Sequence, residues 1–163
     1  MKISKLSEEN EIEICRKILN ESFLTVADES GLTKENSPTN AAFYSNDDLI
    51  KQIEKGIEFY IGYHNDKAIG CVAIEKSKTE FDTFYIEKLA VLPTFRHKGF
   101  GKELMDFCIS IVKNLAGKFI SIALIDSNKK LKDWYEKSGF QTTEIKKFGH
   151  LPFSVCFMKK EIL

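Results

Sequence analysis

The chain carries 163 residues, with 24 Lys plus Arg balanced by 24 Asp plus Glu and a formal net charge of zero. Nucleic-acid binders usually show a basic excess, so DNA or RNA is not expected as the main partner. At 43% hydrophobic and 29% charged residues the composition is that of an ordinary globular protein, and a single domain over residues 1–163 is long enough to bury its own core.

Cysteines stand at 15, 71, 108 and 156, far apart and each within an apolar run. None forms the C-x-x-C spacing of a metal site, so no metal is expected and all read as buried, reduced thiols. The opening MKISKLSEENEIEICRK turns acidic too early for a secretory signal. No apolar run approaches the roughly 18 residues that a membrane span requires, so no membrane partner is expected and the expected location is cytoplasmic.

After a short apolar start at Ile3, Ser7 with Glu8 and Glu9 reads as a helix N-terminus, since acids favour the positive end of the helix dipole. Ile14, Cys15, Ile18, Leu19 and Phe23 then recur at helical spacing. From Ala27 to Ser45 the Gly, Pro, Asn and Ser residues predict a long irregular connection, and loops of that length are often functional. Asn46-Asp47-Asp48 caps a second helix carrying Leu49, Ile50 and Ile53 and ending near Gly56.

Strands are predicted at Ile57 to Tyr63 and Ala68 to Glu75, joined by a hairpin turn at His64-Asn65-Asp66-Lys67, and at Phe84 to Leu92, which stops before Pro93. Leu104, Phe107, Cys108, Ile111 and Leu115 mark a long amphipathic helix from Gly101 to Ala116, with Gly117 as its C-cap. Phe119 to Ile125 is a strand, Asn128 to Lys137 a short helix, and Gln141 to Lys146 and Ser154 to Glu161 the last strands. Strands grouped ahead of a βαβ-like unit predict an α/β (α+β) fold with a mixed sheet.

Between strand and long helix lies LAVLPTFRHKGFGKEL, from Leu89 to Leu104. Helix N-termini expose unpaired N–H groups that bind anions, and glycines let a phosphate approach the backbone. Arg96, Lys98 and Lys102 add charge, so the segment suits a pyrophosphate. A lone R-x-x-G-x-G is equally a plain strand-to-helix turn, and neither a Walker A loop nor a G-x-G-x-x-G fingerprint is present.

Further on comes Asn128, followed by Trp134-Tyr135-Glu136-Lys137-Ser138-Gly139-Phe140. The strand, the loop of Arg96, Gly99 and Gly101, the helix and this second block together resemble the GCN5-related N-acetyltransferase (GNAT) family, in an element order that agrees over almost the whole chain. The resemblance implies a central mixed, mostly antiparallel β-sheet flanked by helices and splayed between the family's fourth and fifth strands, here those of Leu89 to Val91 and of Phe119 to Ile125. Acetyl-CoA is the implied co-substrate. Its pyrophosphate would meet the loop of Arg96, His97, Lys98, Gly99, Phe100, Gly101 and Lys102. Its pantetheine would lie along Leu89, Ala90 and Val91, with the Val91 N–H toward the thioester carbonyl and Asn128 bonded to the arm. Tyr135 matches the position beside the thioester sulfur, as donor of a proton to the leaving thiolate.

Acyl transfer to an amine also needs a base, and Glu87 is the first candidate. It precedes Leu89 by two positions, so both side chains are expected on one face of the strand; an ordinary half-exposed polar residue is the competing reading. His64, His97 and His150 compete for the role, read respectively as a turn residue, part of the phosphate loop and a residue of the last hairpin. Asp28, Glu29 and Glu35 in the long connection could draw a cationic amine. Phe43, Tyr44, Phe59 and Tyr60 would shape a pocket or belong to the core. The expected function is acetyl transfer from acetyl-CoA to a primary amine of a small molecule or peptide by direct attack on the thioester. A non-catalytic acyl-CoA-binding sensor or regulatory domain of the same fold is the alternative, and edge strands make a homodimer one expectation.

Overall fold

The computed structural model describes residues 1–162. Leu163, the last position of the domain expected over residues 1–163, lies outside the described residues. The chain runs β1 (Lys2–Lys5), α1 (Glu9–Glu29), a 3-10 turn at Ala41–Phe43, α2 (Asn46–Glu54), β2 (Glu58–His64), β3 (Lys67–Lys76) and β4 (Thr83–Val91). A second 3-10 turn at Pro93–Phe95 leads to α3 (Phe100–Asn114), β5 (Phe119–Ile125), α4 (Lys129–Lys137), β6 (Gln141–Lys147) and β7 (Ser154–Glu161). All strands join one sheet in the order β1-β2-β3-β4-β5-β7-β6, with β4 and β5 parallel and the other neighbours antiparallel. The mixed, mostly antiparallel α/β sheet expected from the sequence is present.

Local chemistry explains most boundaries. The Glu11 carboxylate accepts from the Ser7 and Glu8 N–H groups, tying down the start of α1. Ser45 and Asp48 form a reciprocal capping box at the start of α2, satisfying donors that a helix end leaves open. Asn65 and Asp66 both take positive φ, 50° and 59°, as a two-residue hairpin turn demands.

Three expectations need correction. The apolar start at Ile3 is a strand, β1, because the edge of β2 supplies its partners from Tyr60 to Tyr63. Helix α1 continues through Glu29, so Asp28 and Glu29 belong to its last turn and not to a loop. At the end of α3 the left-handed residue is Ala116 (φ 57°). Gly117 instead lets the chain pass Phe84 and Val112, whose atoms would lie 2.7 Å and 2.5 Å from an added Cβ.

The sheet separates two cores. On one side α3 and α4 cover Val72, Ile74, Phe84, Ile86, Ile120, Ile122, Cys156 and Met158. On the other, α1 and α2 cover Phe59, Ile61, Cys71, Ala73 and Ala90. Leu104 and Leu19, each fully buried, anchor the two layers, and burying such a side chain is worth about 1.5–3 kcal/mol. Phe59 and Tyr60 are core residues, 2% and 7% exposed. A smaller cluster of Ala27, Leu32 and Ala42 holds the α1–α2 connection against Phe43, Ile125 and Phe153.

Candidate active site

Strands β4 and β5 pair only at Thr83–Phe119, Phe84–Ile120 and Tyr85–Ser121. Beyond that point each keeps its other neighbour: β4 stays with β3 as far as Val91, and β5 with β7 as far as Ile125. The sheet therefore opens into a cleft, as the resemblance implied. The Leu92 N–H donates to Ile69 O on the β3 side at 2.8 Å. Backbone groups alternate along a strand, so the N–H and C=O groups of Val91 and Leu89 point into the cleft. Main-chain groups facing an interior gap need a partner, and an extended polar chain laid there would supply one.

The cleft ends at the loop before α3. His97 and Gly99 adopt left-handed backbone (φ 61° and 89°), a conformation that costs glycine nothing and turns successive N–H groups the same way. Among the described residues, none of the backbone N–H groups from His97 through Lys102 donates to a backbone or side-chain acceptor. They meet the positive end of α3. A Cβ at Gly101 would lie 3.9 Å from Trp134 Cζ2 and 4.0 Å from Val91 Cγ2, so the fold itself does not require glycine there. Space in front of Gly101 is what an approaching anion needs. The Lys67 and Lys98 ammonium groups each stand over the Phe95 ring, 5.2 Å and 5.4 Å from its centroid, and the His64 ring packs on Phe100 at 4.8 Å. Lys102 pairs with Asp106 one turn along the helix.

Arg96 does not add its charge to this nest as the sequence suggested. Its guanidinium turns the other way, donating from Nε to Val91 O (3.1 Å), from one terminal nitrogen to Thr25 Oγ1 (3.0 Å) and from the other to Ser22 O (2.7 Å). It fixes the Val91 carbonyl at the cleft mouth and ties the loop to α1. The Arg96 N–H is also committed, to Pro93 O at 3.3 Å.

Helix α4 supplies the opposite wall. Asn128 caps it, its side-chain oxygen accepting from the Leu131 N–H at 3.2 Å, which leaves its amide NH₂ free to donate. Tyr135 is 7% exposed and sits edge-on between Trp134 (4.9 Å) and Phe140 (5.4 Å). Burial, and secondarily the neighbouring Cys108, raises its pKa. The phenol therefore stays protonated throughout the neutral range, as a proton donor must.

Strand β4 carries a bulge that no residue pattern announces. Ala73 pairs with Glu87 and Cys71 with Ala90, so Lys88 and Leu89 together stand opposite Val72. Lys88 takes φ 53°. Gly70 makes room on the neighbouring strand, since a Cβ there would lie 2.7 Å from Ala90 O. The bulge overturns the expectation that Glu87 and Leu89 share a face. Leu89 packs on the α3 side, whereas Glu87, opposite Ala73, projects to the α1 side. Glu87 is also already paired: Lys88 Nζ donates to its Oε2 at 2.5 Å. Sequence reasoning missed Lys88 altogether, as well as Ser22 and Thr25, and nothing local in the sequence marks them.

Two of the candidate amine-attracting acids, Asp28 and Glu29, are exposed at the end of α1, and Glu35 is exposed beyond it. His150 is exposed in the β6–β7 connection, its ring tilted against Phe148 at 5.8 Å. Leu89, Val91 and the loop to Lys102 thus border the opening between β4 and β5, Asn128 caps the helix that follows β5, Tyr135 lies in the core on the α3 side, and Glu87 stands on the other face of the sheet.

Several proteins of known structure share this fold. Coenzyme A-bound PaiA N-acetyltransferase from Thermoplasma acidophilum superposes with a TM-score of 0.78 at 18% identity, covering 99% of both chains. A GNAT family acetyltransferase from Elizabethkingia anophelis with acetyl-CoA bound gives 0.72 at 21% identity over 98% of this chain and 97% of that one. The ribosomal-protein-S18-alanine N-acetyltransferase from Escherichia coli gives 0.76 at 16% identity over 99% and 93%. No curated protein matches the chain at a significant level. A family model described as acetyltransferase (GNAT) family matches residues 15–140, which is most of the sequence, and the chain belongs to that family.

Proposed function

We propose that the chain is a single acetyltransferase domain that moves an acetyl group from acetyl-CoA to a primary amine by direct attack on the thioester. The observation that carries this reading is the run of unpartnered N–H groups from His97 through Lys102 at the mouth of an unpaired sheet cleft. Anion donors and an extended polar slot are joined end to end, as a pyrophosphate followed by an amide-bearing arm requires.

Acetyl-CoA supplies the activated acyl group. The loop N–H groups would hold its pyrophosphate and the cleft edges of Leu89 and Val91 its amides, with the free Asn128 NH₂ donating to the arm. The Val91 N–H, fixed in direction because Arg96 holds the adjoining carbonyl, would donate to the thioester oxygen as negative charge develops there. As the amine nitrogen bonds to the carbonyl carbon and the C–S bond breaks, the Tyr135 hydroxyl gives its proton to the departing sulfur. The proton lost by the amine goes to Glu87 or to water, and solvent restores the phenol. Tyr135 and Glu87 stand on opposite sides of the sheet layer, so donor and acceptor of protons do not short-circuit one another.

Calorimetric titration with acetyl-CoA, followed by thiol release with a panel of primary amines, tests the reading. Binding with amine-dependent thiol release is expected. No binding refutes it, and binding without thiol release from any amine makes the protein an acyl-CoA sensor.

A further inference from the structure

The β4 bulge does more than turn Glu87 toward α1. In a regular strand the next side chain would leave on the opposite face. Lys88 instead adopts the left-handed backbone, which costs a non-glycine residue about 1 kcal/mol or more, and its ammonium arrives beside Glu87 on the same face. The Lys88 side chain is only 12% exposed, against 35% for Glu87. It lies close enough to the buried Cys71 thiol to act on it electrostatically, with Cys15 of α1 just behind. A charge so enclosed is costly unless its hydrogen bonds are satisfied.

An ammonium has three protons to donate, and Lys88 gives only one, to Glu87 Oε2. Among the described residues no second acceptor takes another. The acids nearest in the sequence of α1 and its connection, Asp28, Glu29 and Glu35, are exposed, and none of them forms an ion pair with Lys88. Glu87 likewise keeps Oε1 uncommitted. Both groups follow the last β4–β5 pair, at Tyr85 and Ser121, where the sheet has opened. The site therefore offers one anion donor and one cation acceptor side by side, next to the strand positions that face the thioester.

We infer that this pair recognises an acceptor carrying a carboxylate beside its primary amine, an amino-acid zwitterion, with the carboxylate on the Lys88 ammonium and the amine toward Glu87. The inference rests on the acetyltransferase reading above. Arrival of the substrate carboxylate gives Lys88 a second partner alongside Glu87, whose uncommitted Oε1 can take the proton the substrate ammonium must lose before attack. An amine with no anionic group leaves the spare Lys88 donors without that partner.

Thiol release at saturating acetyl-CoA, measured with free L-amino acids and with the matching L-amino acid amides, tests this directly. A lost hydrogen bond to a charged group corresponds to about a tenfold to hundredfold effect, so the free acids should exceed their amides in kcat/KM by about that factor. Lys88→Met keeps the aliphatic stem and should bring the ratio close to one, while Lys88→Arg keeps the charge and should retain the preference. Equal or faster turnover of the amides by the unmodified protein overturns the inference while leaving the acetyltransferase reading in place. A preference that survives in a folded Lys88→Met protein also overturns it. Should that variant not fold, the unmodified protein and Lys88→Arg still decide, because loss of the preference in the arginine variant contradicts charge recognition. Absence of thiol release with every amine defeats the acetyltransferase reading itself.

Discussion

Replacing Arg96 by Gln separates a role in the fold from a role in charge attraction. The guanidinium makes hydrogen bonds to Val91 O, Thr25 Oγ1 and Ser22 O. Ser22 O retains the Thr25 hydroxyl as a donor at 2.9 Å, so the exposed loss falls on the Val91 carbonyl and on the tie between loop and α1. Hydrogen bonds to charged groups contribute about 1.5–3 kcal/mol each, and with two acceptors able to find other donors the net loss should be about 2 kcal/mol. For a chain of this size that corresponds to a fall in Tm of roughly 4–8 °C. Thermal unfolding with and without acetyl-CoA measures it, alongside the salt dependence of acetyl-CoA affinity. Because the guanidinium faces away from the loop N–H groups, affinity should weaken through loosening of the loop while its salt dependence keeps the same slope. An unchanged Tm together with a shallower salt dependence would show that Arg96 pairs with the ligand and would refute the assignment.

Gly101→Ala should fold with an unchanged Tm, since its Cβ meets only ordinary contacts, whereas Gly101→Glu should abolish acetyl-CoA binding in calorimetry while circular dichroism stays native. Tyr135→Phe should slow thiol release and leave acetyl-CoA affinity and Tm nearly unchanged, because no hydrogen bond of the hydroxyl contributes to its state in the fold; unaltered turnover would give the proton to water. Alkaline pH should destabilise the protein: burial pushes the Cys108 thiol up to about 12, and burial also raises Cys71. An unfolded thiol ionises near about 8.5, so this stability is fully present below that pH and falls by about 1.4 kcal/mol per pH unit for each such thiol as pH rises toward the folded value. Urea denaturation of Cys108→Ala should show lower stability at neutral pH but a flatter decline above about pH 9.

Much of the architecture could be read along the chain because it rests on local chemistry. Helical spacing in α1 and α3, the Asn65-Asp66 turn, and the placement of Gly99 and Gly101 between strand and helix each depend on residues a few positions apart. The same holds for the second block from Asn128 to Phe140, and these segments also carried the family resemblance. Strand β1 was not legible, because KISK is too short for its alternation to register and becomes a strand only where β2 offers an edge. Nor was the direction of the Arg96 side chain, whose partners Thr25 and Ser22 lie 71 and 74 residues away. Side-chain alternation placed Glu87 and Leu89 on one face, and that rule holds only while pairing is regular. The bulge at Lys88 has no glycine or proline to announce it. It lies between the Ala73–Glu87 and Cys71–Ala90 pairs of two strands distant in sequence, and it brings Lys88 beside Glu87. Sequence by itself determined most of the elements and the glycine-bearing loop before α3, because these rest on residues a few positions apart; the packing of distant strands decided where Arg96, Glu87 and Lys88 point.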